Sequence, residues 1–576
     1  MKILMSGAEC SEVASVGGVG EYTLGLATEL VAHGHEVDVV IPLYGFLAEA
    51  EDLEPITNRL MVPLGVGSSE CALVRRWPAS RLPFAVTLIG SHRHFDSVGS
   101  PADIYQHWPN HEPWIAFSRS VLAYMAKTDW DPDILHCLDS HAALIPVFMH
   151  DSQRNRWDCP PARPATVLTI HNLLNQGKGD AGLLEWAGLH PGYWYHDWFE
   201  FYGGANCFKA GLLTADRVST VSRTYATEIC QSPDFGFGLE GILSSLRDRR
   251  RLEWILNGIT PARWNVEGVT YGAGARDSDV ARVKRAKRQR RAELLSAWGW
   301  DDDGTPVIAV RSRWDRQKGV VELVECIRKC QDVARFLVVA WGHPEAGAEL
   351  ARAWRRLEKL QAERPDRVVL NPESLVGQHN GANHYAVADF LLVPSLYEPC
   401  GLTQMECQRF GAVPIVRATG GLADTVSEVA NTNFGSPNGF VFTEPLGEHM
   451  ADRMSDAVRR AITTFTTPAG DEMIRHGLEQ ENGWSNRIND YQALYQNAAM
   501  ARFGEVVGCL SQRAAMSRGQ GDVQGEANAL RRLGDTYAAQ SRAGEAREHW
   551  ERARDLYAAL GSAEAEEIEL VLAGAA

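Results

Sequence analysis

The sequence predicts an α/β protein with two doubly wound, Rossmann-like domains, followed by a smaller all-α segment. Short apolar runs of strand length alternate with amphipathic runs of helix length in two series, one before residue 260 and one after residue 300. A glycine-rich turn follows the first run, whereas residues 501–576 are rich in Ala, Arg and Glu. Regular alternation of strands and helices produces a parallel sheet with helices on both faces.

The first domain is expected over residues 1–260. It opens with an apolar strand at residues 2–5, a turn containing Gly17 and Gly18, and the helical pattern GEYTLGLATELVAHG. The next run, HEVDVVIPLY, is almost fully apolar, as in a strand that is buried on both faces of a parallel sheet. Similar alternation continues through DILHCLDSHAALIPVFMH and ATVLTIHN.

The second domain is expected over residues 300–480. Its strands are PVIAVRSR, RFLVVAWG, RVVLN, DFLLVPS and VPIVRA, and helical stretches separate them. Residues 261–299 form a connector that includes the basic segment ARVKRAKRQRRAELLSAWGW. This segment is either an anion or partner patch or a solvated connector helix, and the second interpretation is favoured because charge runs usually face water.

The last segment, residues 501–576, is predicted to be a helical appendage. It contains the spacing of one tetratricopeptide (TPR) repeat, formed by Leu530, Leu533, Gly534, Tyr537, Ala546, Trp550 and Ala553. One repeat rarely buries enough surface to stand alone, so neighbouring helices should complete it. The appendage is either a surface for self-association or protein docking, or a tail that packs on the rest of the chain.

Composition limits the classes of function. The chain has 576 residues, 45% of them apolar, and a net charge of −16, which disfavours nucleic-acid binding but allows a local phosphate site. No apolar run approaches the ~20 residues of a membrane span. Eleven scattered cysteines without a C-x-x-C pair indicate reduced thiols and a cytoplasmic location. No zinc-spaced cluster or Walker loop is present, so neither a metal nor a cofactor is expected.

The most informative segment is PSLYEPCGLTQMECQRFG, followed by RATGGLADTV. A helix should begin at about Thr403, with the carboxylates Glu398 and Glu406 eight residues apart on either side of its start. Free N–H groups at a helix start and two carboxylates suit the hydroxyls of a sugar and a ribose. The next turn, Thr419-Gly420-Gly421, offers backbone donors for phosphate oxygens.

A second candidate site lies in SRWDRQKG, where the chain leaves a strand and enters a helix. Arg313 and Lys318 could converge there on a pyrophosphate, one as a planar clamp and one as a point charge. Stabilising a departing nucleotide diphosphate in this way is electrostatic catalysis. The chain has only nine lysines, which draws attention to Lys318.

In this order, the segments resemble the bacterial glycogen synthase and plant starch synthase family over roughly residues 1–495. The matching segments are SVGGVGEY, WDPDILHCLDSHAALIP, TIHNLLNQG, FKAGLLTADRVSTVS, FGFGLEG, LNGI, SRWDRQKG, EPCGLTQ and TGGLADTV. The resemblance implies the GT-B fold, with two Rossmann-like domains facing across a cleft, and retaining transfer from a nucleotide-diphosphate sugar without a metal. GWSNRINDYQALY resembles the family's last helix, which implies a crossover helix at residues 481–500.

The resemblance also implies roles for individual residues. Arg313 and Lys318 would hold the donor diphosphate, and Glu398 would contact the transferred ring. The first glycine turn and the turn at Thr419 would face the phosphates, and His171 would line the sugar pocket. Asp139 and His141 would lie near donor and acceptor. Simpler structural interpretations are a core histidine for His171, a helix cap for Asp139 and packing alone for Cys400, which is favoured.

Departures from the family cluster in the same region. The family has a lysine at the position of Ser15, an aspartate at that of Glu21 and a tyrosine at that of Asn175. Where the family has H-D-W-H, this chain has Leu138-Asp139-Ser140-His141. A tyrosine motif is missing near Val376. Glu406, by contrast, completes the E-x7-E pattern of other retaining transferases with this fold. Losing a phosphate-facing cation should cost several kcal/mol unless another cation compensates.

These departures leave several functions open. The leading hypothesis is a retaining transferase that moves a sugar or pseudosugar from a nucleotide-diphosphate donor to a specialised carbohydrate or aminosugar acceptor. A close competitor resembles the pseudo-glycosyltransferase of acarbose-type biosynthesis, which joins an activated cyclitol to an amino sugar through a C–N bond. Two further hypotheses are an ADP-glucose glycogen synthase and a non-catalytic scaffold that senses a nucleotide sugar.

Overall fold

A computed structural model describes residues 1–574 except positions 49, 51, 66, 91–92, 106–110, 129, 155–163, 343–346, 376–380, 430–435 and 444–448. The described chain contains a nine-stranded sheet, a six-stranded sheet, a small three-stranded sheet and a C-terminal group of helices. This arrangement confirms the predicted fold class of two α/β units and a helical appendage.

The nine-stranded sheet lies in the first α/β unit. Its strands are β1 (Lys2–Ser6), β2 (Glu36–Pro42), β3 (Glu54–Pro63), β4 (Ser69–Arg76), β5 (Ala85–Gly90), β6 (Ile134–Leu138), β7 (Ala165–Ile170), β11 (Arg217–Thr220) and β12 (Leu252–Trp254). The small sheet is made of β8 (Lys178–Gly179), β9 (Glu200–Phe201) and β10 (Gly204–Asn206). The strand order is β12-β11-β7-β6-β1-β2-β5-β4-β3, parallel from β12 to β5, with β4 and β3 added antiparallel at one edge.

The six-stranded sheet lies in the second α/β unit and is parallel throughout. Its strands are β13 (Val307–Arg313), β14 (Arg335–Trp341), β15 (Val368–Leu370), β16 (Phe390–Val393), β17 (Val413–Arg417) and β18 (Phe440–Phe442). They are ordered β15-β14-β13-β16-β17-β18. The strands are buried on both faces because helices cover the sheet on either side, which explains their nearly continuous apolar sequences.

Helices connect these strands and form the appendage. In the first unit they are α1 (Gly18–Ala32), α2 (Gly45–Ala48), α3 (Glu112–Thr128), α4 (Asp139–Ala142), α5 (Leu144–Arg154), α6 (Gly182–Ala187), α7 (Cys207–Thr214), α8 (Arg223–Gln231), α9 (Pro233–Gly236) and α10 (Glu240–Asp248). Those that follow are α11 (Asp277–Leu294), α12 (Val320–Cys330), α13 (Ala348–Glu363), α14 (Gly381–Val387), α15 (Thr403–Gln408), α16 (Gly420–Thr425), α17 (Met450–Phe465) and α18 (Pro468–Glu479). The last four are α19 (Ile488–Gln520), α20 (Val523–Ala539), α21 (Ala543–Ala559) and α22 (Glu564–Gly574).

The basic segment expected to be a solvated connector has a different environment. Its helix, α11, buries Val280 and Val283 in the same apolar core as the second sheet. Two of its basic residues are also buried, and Arg291 bonds the Asp389 carboxylate at 2.7 Å. The favoured interpretation therefore holds only for the outer face of this helix, where Arg282, Arg285 and Arg288 are exposed, while its apolar positions and two buried cations dock it on the second unit.

The predicted crossover helix is longer than residues 481–500. Helix α19 runs through the expected boundary at residue 501 and ends before Gly521, whose φ of +73° closes the helix in the left-handed region. Its first half packs against β6, β7 and β11. There Arg502 bonds the buried Asp216 carboxylate at 2.9 Å.

The appendage is built on the second half of α19. A separate apolar core joins α19 to α20, α21 and α22, and Trp550, 7% exposed, fills the space beside Gly534. An added Cβ at Gly534 would lie 2.3 Å from the indole, so only glycine permits this approach. None of the helices in the described ranges is apolar over enough length to cross a bilayer.

Candidate active site at the facing sheet edges

The candidate residues gather where parallel strands end. The glycine turn follows β1, Asp139 follows β6 and His171 follows β7, all at one edge of the first sheet. Arg313 ends β13 of the second sheet. Glu398 and Thr419 follow β16 and β17. Open α/β sheets bind their ligands at this carboxyl edge.

The two edges meet through direct contacts. Asn172, next to His171, donates to the Gln317 side chain at 3.2 Å, and Ser222 donates to the Pro399 carbonyl at 2.5 Å. An added Cβ at Gly18 would lie 3.9 Å from Leu402, just before α15. The first glycine turn and the E-P-C-G-L segment are therefore on opposite sides of one cleft.

Lys318 and Glu398 form an ion pair in this cleft. The Lys318 ammonium lies 2.5 Å from the Glu398 carboxylate, and Ser395 donates to the same oxygen at 2.7 Å. Their side chains are only 19% and 10% exposed, so water screens this pair less than a surface pair. Arg313 is more open, with 43% of its side chain exposed and Asp315 3.9 Å away. The sequence-predicted clamp thus contains one buried and one accessible cation.

The first glycine turn is arranged around a buried carboxylate that the sequence did not single out. Glu9 accepts hydrogen bonds from the backbone N–H groups of Val16 at 2.5 Å and Gly17 at 3.0 Å, and from the Ser15 hydroxyl at 3.1 Å. Tyr105 also donates to Glu9. Gly17 has no heavy atom within 4 Å of an added Cβ, so this part of the turn faces open space.

Asp139 and His171 belong to one buried arrangement. The Asp139 carboxylate accepts from the backbone N–H groups of His171 at 2.7 Å and Asn172 at 3.1 Å, and Asp139 has a strained φ of +55°. Burial raises the pKa of Asp139 to about 7, although these two bonds oppose the rise. The helix-cap interpretation is wrong, because Leu138 is the N-cap of α4 and the Asp139 side chain bonds the turn at His171 instead.

The histidines of this region are buried and uncharged. Burial lowers the pKa of His171 and of His141 to about 3. His171 packs edge-on against Tyr22, with ring centroids 4.3 Å apart, and its Nε2 has no hydrogen-bond partner among the described residues. His141 packs against Trp114 at 4.4 Å. His171 is thus a core residue by its packing, with one polar atom buried and unpartnered among the described residues.

Glu406 is more buried than we expect of a carboxylate that binds the hydroxyl groups of a substrate. It is 4% exposed, lies in the first turn of α15 and accepts a 2.7 Å hydrogen bond from the Tyr385 hydroxyl. Burial raises the pKa of Glu406 to about 7, while the nearby Arg311 and Arg263 guanidinium groups oppose the rise. Cys400 is buried too, with a pKa raised to about 12 by burial, in line with the packing interpretation.

The Thr419-Gly420-Gly421 turn is not an open phosphate cradle in this structure. The Glu228 carboxylate, from α8 of the first unit, accepts from the Thr419 hydroxyl at 3.0 Å and from the Gly420 N–H at 3.2 Å. The Gly421 N–H bonds the Glu398 carbonyl at 3.0 Å. A phosphate can reach Gly420 only after Glu228 has withdrawn, because the two anions need the same donor.

Several residues of the site carry no signal in the sequence. Glu9, Glu228, Arg263 and Tyr385 belong to no motif of their own, and each meets a partner that is not adjacent in the chain. Only the proximity of Glu9 to the glycine turn offered a hint. Val376, the expected place of a missing tyrosine, lies outside the described residues.

Nine cysteines among the described residues have free thiols. Within the described ranges, no group of three or more His, Cys, Asp or Glu side chains is arranged to hold a metal ion.

Comparison with known proteins gives a consistent result. Residues 2–245 match the model of the starch synthase catalytic domain, and residues 298–463 match that of glycosyl transferases group 1. Glycogen synthase 2 of Geobacter sulfurreducens is 32% identical over 88% of this chain and 100% of its own length. Glycogen synthase of Myxococcus xanthus is 34% identical over 86% of this chain and 99% of its own length.

A solved structure has the same fold. The catalytic domain of starch synthase IV from Arabidopsis thaliana, bound to ADP and acarbose, superimposes with a TM-score of 0.73 at 23% identity. The match covers 87% of this chain and 99% of that structure. By these sequence and fold similarities, the chain belongs to the glycogen and starch synthase family of GT-B glycosyltransferases.

Proposed function

We propose that the protein is a retaining-type transferase that moves a sugar or pseudosugar from a nucleotide-diphosphate donor to a specialised acceptor, without a metal or other cofactor. The observation that carries the proposal is the Lys318–Glu398 pair beside the accessible Arg313, at the carboxyl edge of the second sheet. The first unit, residues 1–260, would hold the acceptor, and residues 300–480 would hold the donor.

Leaving-group stabilisation is the main chemical role in this proposal. The bond between the anomeric carbon and the diphosphate oxygen breaks, and Arg313 and Lys318 bind the charge that develops on the diphosphate. The acceptor oxygen bonds the same face of that carbon, and its proton passes to the leaving diphosphate. Fixed cations in a partly dry cleft stabilise such charge more than water does, because they need no reorientation.

The remaining residues would position the substrates. Glu398, held by Lys318 and Ser395, would accept hydroxyl groups of the transferred ring, and the Nε2 of His171 would bond another hydroxyl. Asp139 would fix the turn that carries His171. Glu406 would face the ribose, and Gly17, Gly18, Thr419, Gly420 and Gly421 would approach the phosphates once Glu228 has moved.

A second candidate is supported by the charge of the first glycine turn. Glu9, Glu12 and Glu21 give it three carboxylates, and residues 6–25 contain no Lys or Arg. This composition suits an acceptor that carries an amine. In a pseudo-glycosyl transfer, the amine nitrogen would bond the cyclitol carbon as its bond to the diphosphate breaks, and the N–H proton would leave with the diphosphate.

One panel of substrates separates these functions. Purified protein would be incubated with ADP-, UDP- and GDP-glucose and with a nucleotide-activated valienol, each with glycogen, maltooligosaccharides and amino sugars, and products would be identified by mass spectrometry. We expect product with a specialised acceptor. Product from ADP-glucose and glycogen alone would show that the specialised-acceptor proposal is wrong. Nucleotide binding without turnover would indicate a scaffold.

Location and self-association are also part of the proposal. The nine free cysteines support a cytoplasmic location, since thiols persist in reducing compartments. Self-association through the appendage is supported by the exposed apolar side chains Leu570 and Val571, 76% and 41% exposed on α22. Light scattering should give a dimer or larger species that Leu570→Glu with Val571→Glu dissociates. A monomeric wild-type protein would contradict it.

A further inference from the structure

The first glycine turn presents an electrostatic problem for any diphosphate donor. We name residues 9–21 the acidic turn. It contains Glu9, Glu12 and Glu21, and its own sequence supplies no basic residue. The turn lies across the cleft from the Lys318–Glu398 pair, because Gly18 faces Leu402. Carboxylates that close to a diphosphate repel it, and the repulsion grows in a partly buried cleft.

A cation from a distant part of the chain reaches this turn. The Arg263 guanidinium bonds the Glu21 carboxylate at 2.6 Å and contacts the Glu12 carboxylate. The Ser11 hydroxyl donates to the same Glu21 oxygen at 2.8 Å, which holds the Glu21 carboxylate in place. The Arg263 side chain is 30% exposed, so the guanidinium is held by its carboxylate partners and is still accessible from the cleft.

The backbone that carries Arg263 is firmly attached. Arg263 ends a short 3-10 turn, Pro261–Arg263, and the next carbonyl, of Trp264, accepts from Arg409 at 2.5 Å. Just before the turn, the Ile259 N–H bonds the Asn482 carbonyl at 2.8 Å. Arg263 is therefore presented from a fixed point between the two sheets.

Arg263 also lies close to the second carboxylate of the E-x7-E pair. The charge of Glu406 acts on Arg263 and opposes the effect of burial, which lowers the pKa of the guanidinium. Glu21 and Arg263 in turn both act on Glu406. Arg263 thus interacts with a carboxyl group on each wall of the cleft, Glu21 in the acidic turn and Glu406 in the first turn of α15.

We infer that Arg263 is a donor-binding residue that supplies, from outside the acidic turn, the positive charge this wall of the cleft needs to accept a nucleotide diphosphate. The inference rests on the proposed function. A guanidinium has five N–H donors, so two carboxylates leave donors for a phosphate oxygen. Its planar shape suits simultaneous contact with carboxylate and phosphate. Arg263 thereby determines affinity for the diphosphate part of the donor.

The test compares binding of nucleoside diphosphates with binding of the parent nucleosides. Calorimetric titrations of ADP, UDP and GDP, and of adenosine, uridine and guanosine, would be made with wild type, Arg263→Gln and Arg263→Lys. We expect Arg263→Gln to weaken diphosphate binding at least tenfold and to leave nucleoside affinity unchanged. Arg263→Lys should retain part of the affinity, because it keeps the charge but not the fork of donors.

A second-site variant makes the test specific to charge. Ser15 lies in the acidic turn, 3.2 Å from the Ser11 hydroxyl. Ser15→Lys in the Arg263→Gln background should restore most of the lost diphosphate affinity. Arg282→Gln is the matched control, because Arg282 is an exposed arginine of the neighbouring α11 that pairs with Asp279 at 3.2 Å. Its diphosphate affinity should equal that of wild type.

The possible results separate the inference from the function on which it rests. A wild-type protein that binds none of the three diphosphates would contradict the proposed function. Normal wild-type binding that Arg263→Gln leaves unchanged would overturn the inference alone. Equal losses for diphosphates and nucleosides, or failure of Ser15→Lys to restore binding, would show that Arg263 acts only on the fold of the turn and would also overturn it.

Discussion

The two walls of the cleft differ in the sign of their charge. The wall from the second sheet presents Lys318, paired with Glu398, and Arg313, whose guanidinium lies 3.9 Å from Asp315. The wall from the first sheet presents the carboxylates of the acidic turn, which are joined to the rest of the cleft by Arg263. The second wall thus carries its own basic side chains, whereas the first wall depends on Arg263, from a distant segment, to offset its carboxylates.

If the proposed function is right, this difference would let one fold keep its donor and change its acceptor. Cations that stabilise a leaving diphosphate are needed for every acceptor, so the second wall has little freedom to vary. Residues that meet the acceptor change with its chemistry, and three of the departures, at Ser15, Glu21 and Ser140, lie on the first wall, whereas the missing tyrosine near Val376 belongs to the sequence of the second unit. Under the proposed function, the second wall would be a general leaving-group site and the first wall would adapt to a particular acceptor.

The largest effect is expected for a substitution in the wall from the second sheet, called here the basic wall because it carries Arg313 and Lys318. Lys318→Ala should lower kcat by about 100- to 1000-fold, the usual cost of removing one fixed donor from a charge that develops in the transition state. Steady-state kinetics with the best donor of the substrate panel would measure it. Lys329→Ala is the matched control, because Lys329 lies in the same unit and pairs with Asp452 near the surface.

The control should retain wild-type kcat. Equal rates for Lys318→Ala and wild type would break the comparison, since the basic wall would then contribute nothing to leaving-group departure. A rise in KM with unchanged kcat would limit Lys318 to ground-state binding of the donor.

A second prediction concerns the buried carboxylate between the walls. The folded-state pKa of Glu406 is about 7, above its ordinary value of 4.5, so wild-type stability falls as pH rises from 4.5 to 7. Glu406→Gln removes this loss while it keeps an acceptor for Tyr385. The free energy of unfolding of Glu406→Gln, relative to wild type, should therefore be higher at pH 8 than at pH 4.5 by up to about 3 kcal/mol.

Urea unfolding at the two pH values measures this difference directly. Asp139 has a similarly raised pKa but is present in both proteins, so its contribution cancels. The exposed Glu363→Gln variant serves as a control with no pH-dependent difference. A constant difference between Glu406→Gln and wild type at both pH values would mean that Glu406 does not titrate in this range.

The smallest expected effect concerns the contact that crosses between the walls at Gly420. Glu228→Ala should tighten binding of a nucleoside diphosphate about two- to fivefold. The substitution removes the carboxylate that competes with a phosphate for the Gly420 N–H, and one hydrogen bond is worth about 1 kcal/mol. Calorimetric titration with ADP, UDP and GDP would detect it.

Thr224→Val is the comparison for this effect. Thr224 bonds Asp424 across the same interface, through its N–H at 2.8 Å and its hydroxyl at 2.6 Å, without touching Gly420. Only the hydroxyl bond is lost in the variant. Tighter binding in both variants would assign the effect to a looser interface, and no change in Glu228→Ala would show that Gly420 does not meet the phosphates.

Much of the fold could be predicted because its signals are local. Apolar strands and amphipathic helices indicated the two α/β units, and the helix expected at about Thr403 is α15, which begins there. The approach of Arg313, Lys318 and Glu398 could also be anticipated, since all three follow strand ends of one sheet. Strand order places such ends together whatever their separation in sequence.

The rest depends on partners that no local pattern encodes. Glu228 reaches Gly420 from the other unit, and Arg263 reaches Glu21 from a segment that sequence alone assigned to a connector. The basic helix α11 was interpreted as solvated because its charges outnumber its apolar residues. Burial of its Arg291 becomes favourable through Asp389, just before β16, and Asp302, neither of which periodicity can reveal as a partner.

Helix α19 fixes the appendage to one half of the enzyme. Its 33 residues make an uninterrupted rod of about 50 Å, with one end seated on the first sheet and the other inside the core of the appendage. A tether of flexible chain would let the appendage sample many positions, whereas this rod holds it at one distance and one angle. Any partner that binds the appendage would therefore keep a fixed position relative to the first unit, and a movement of the second unit would change its distance from that partner.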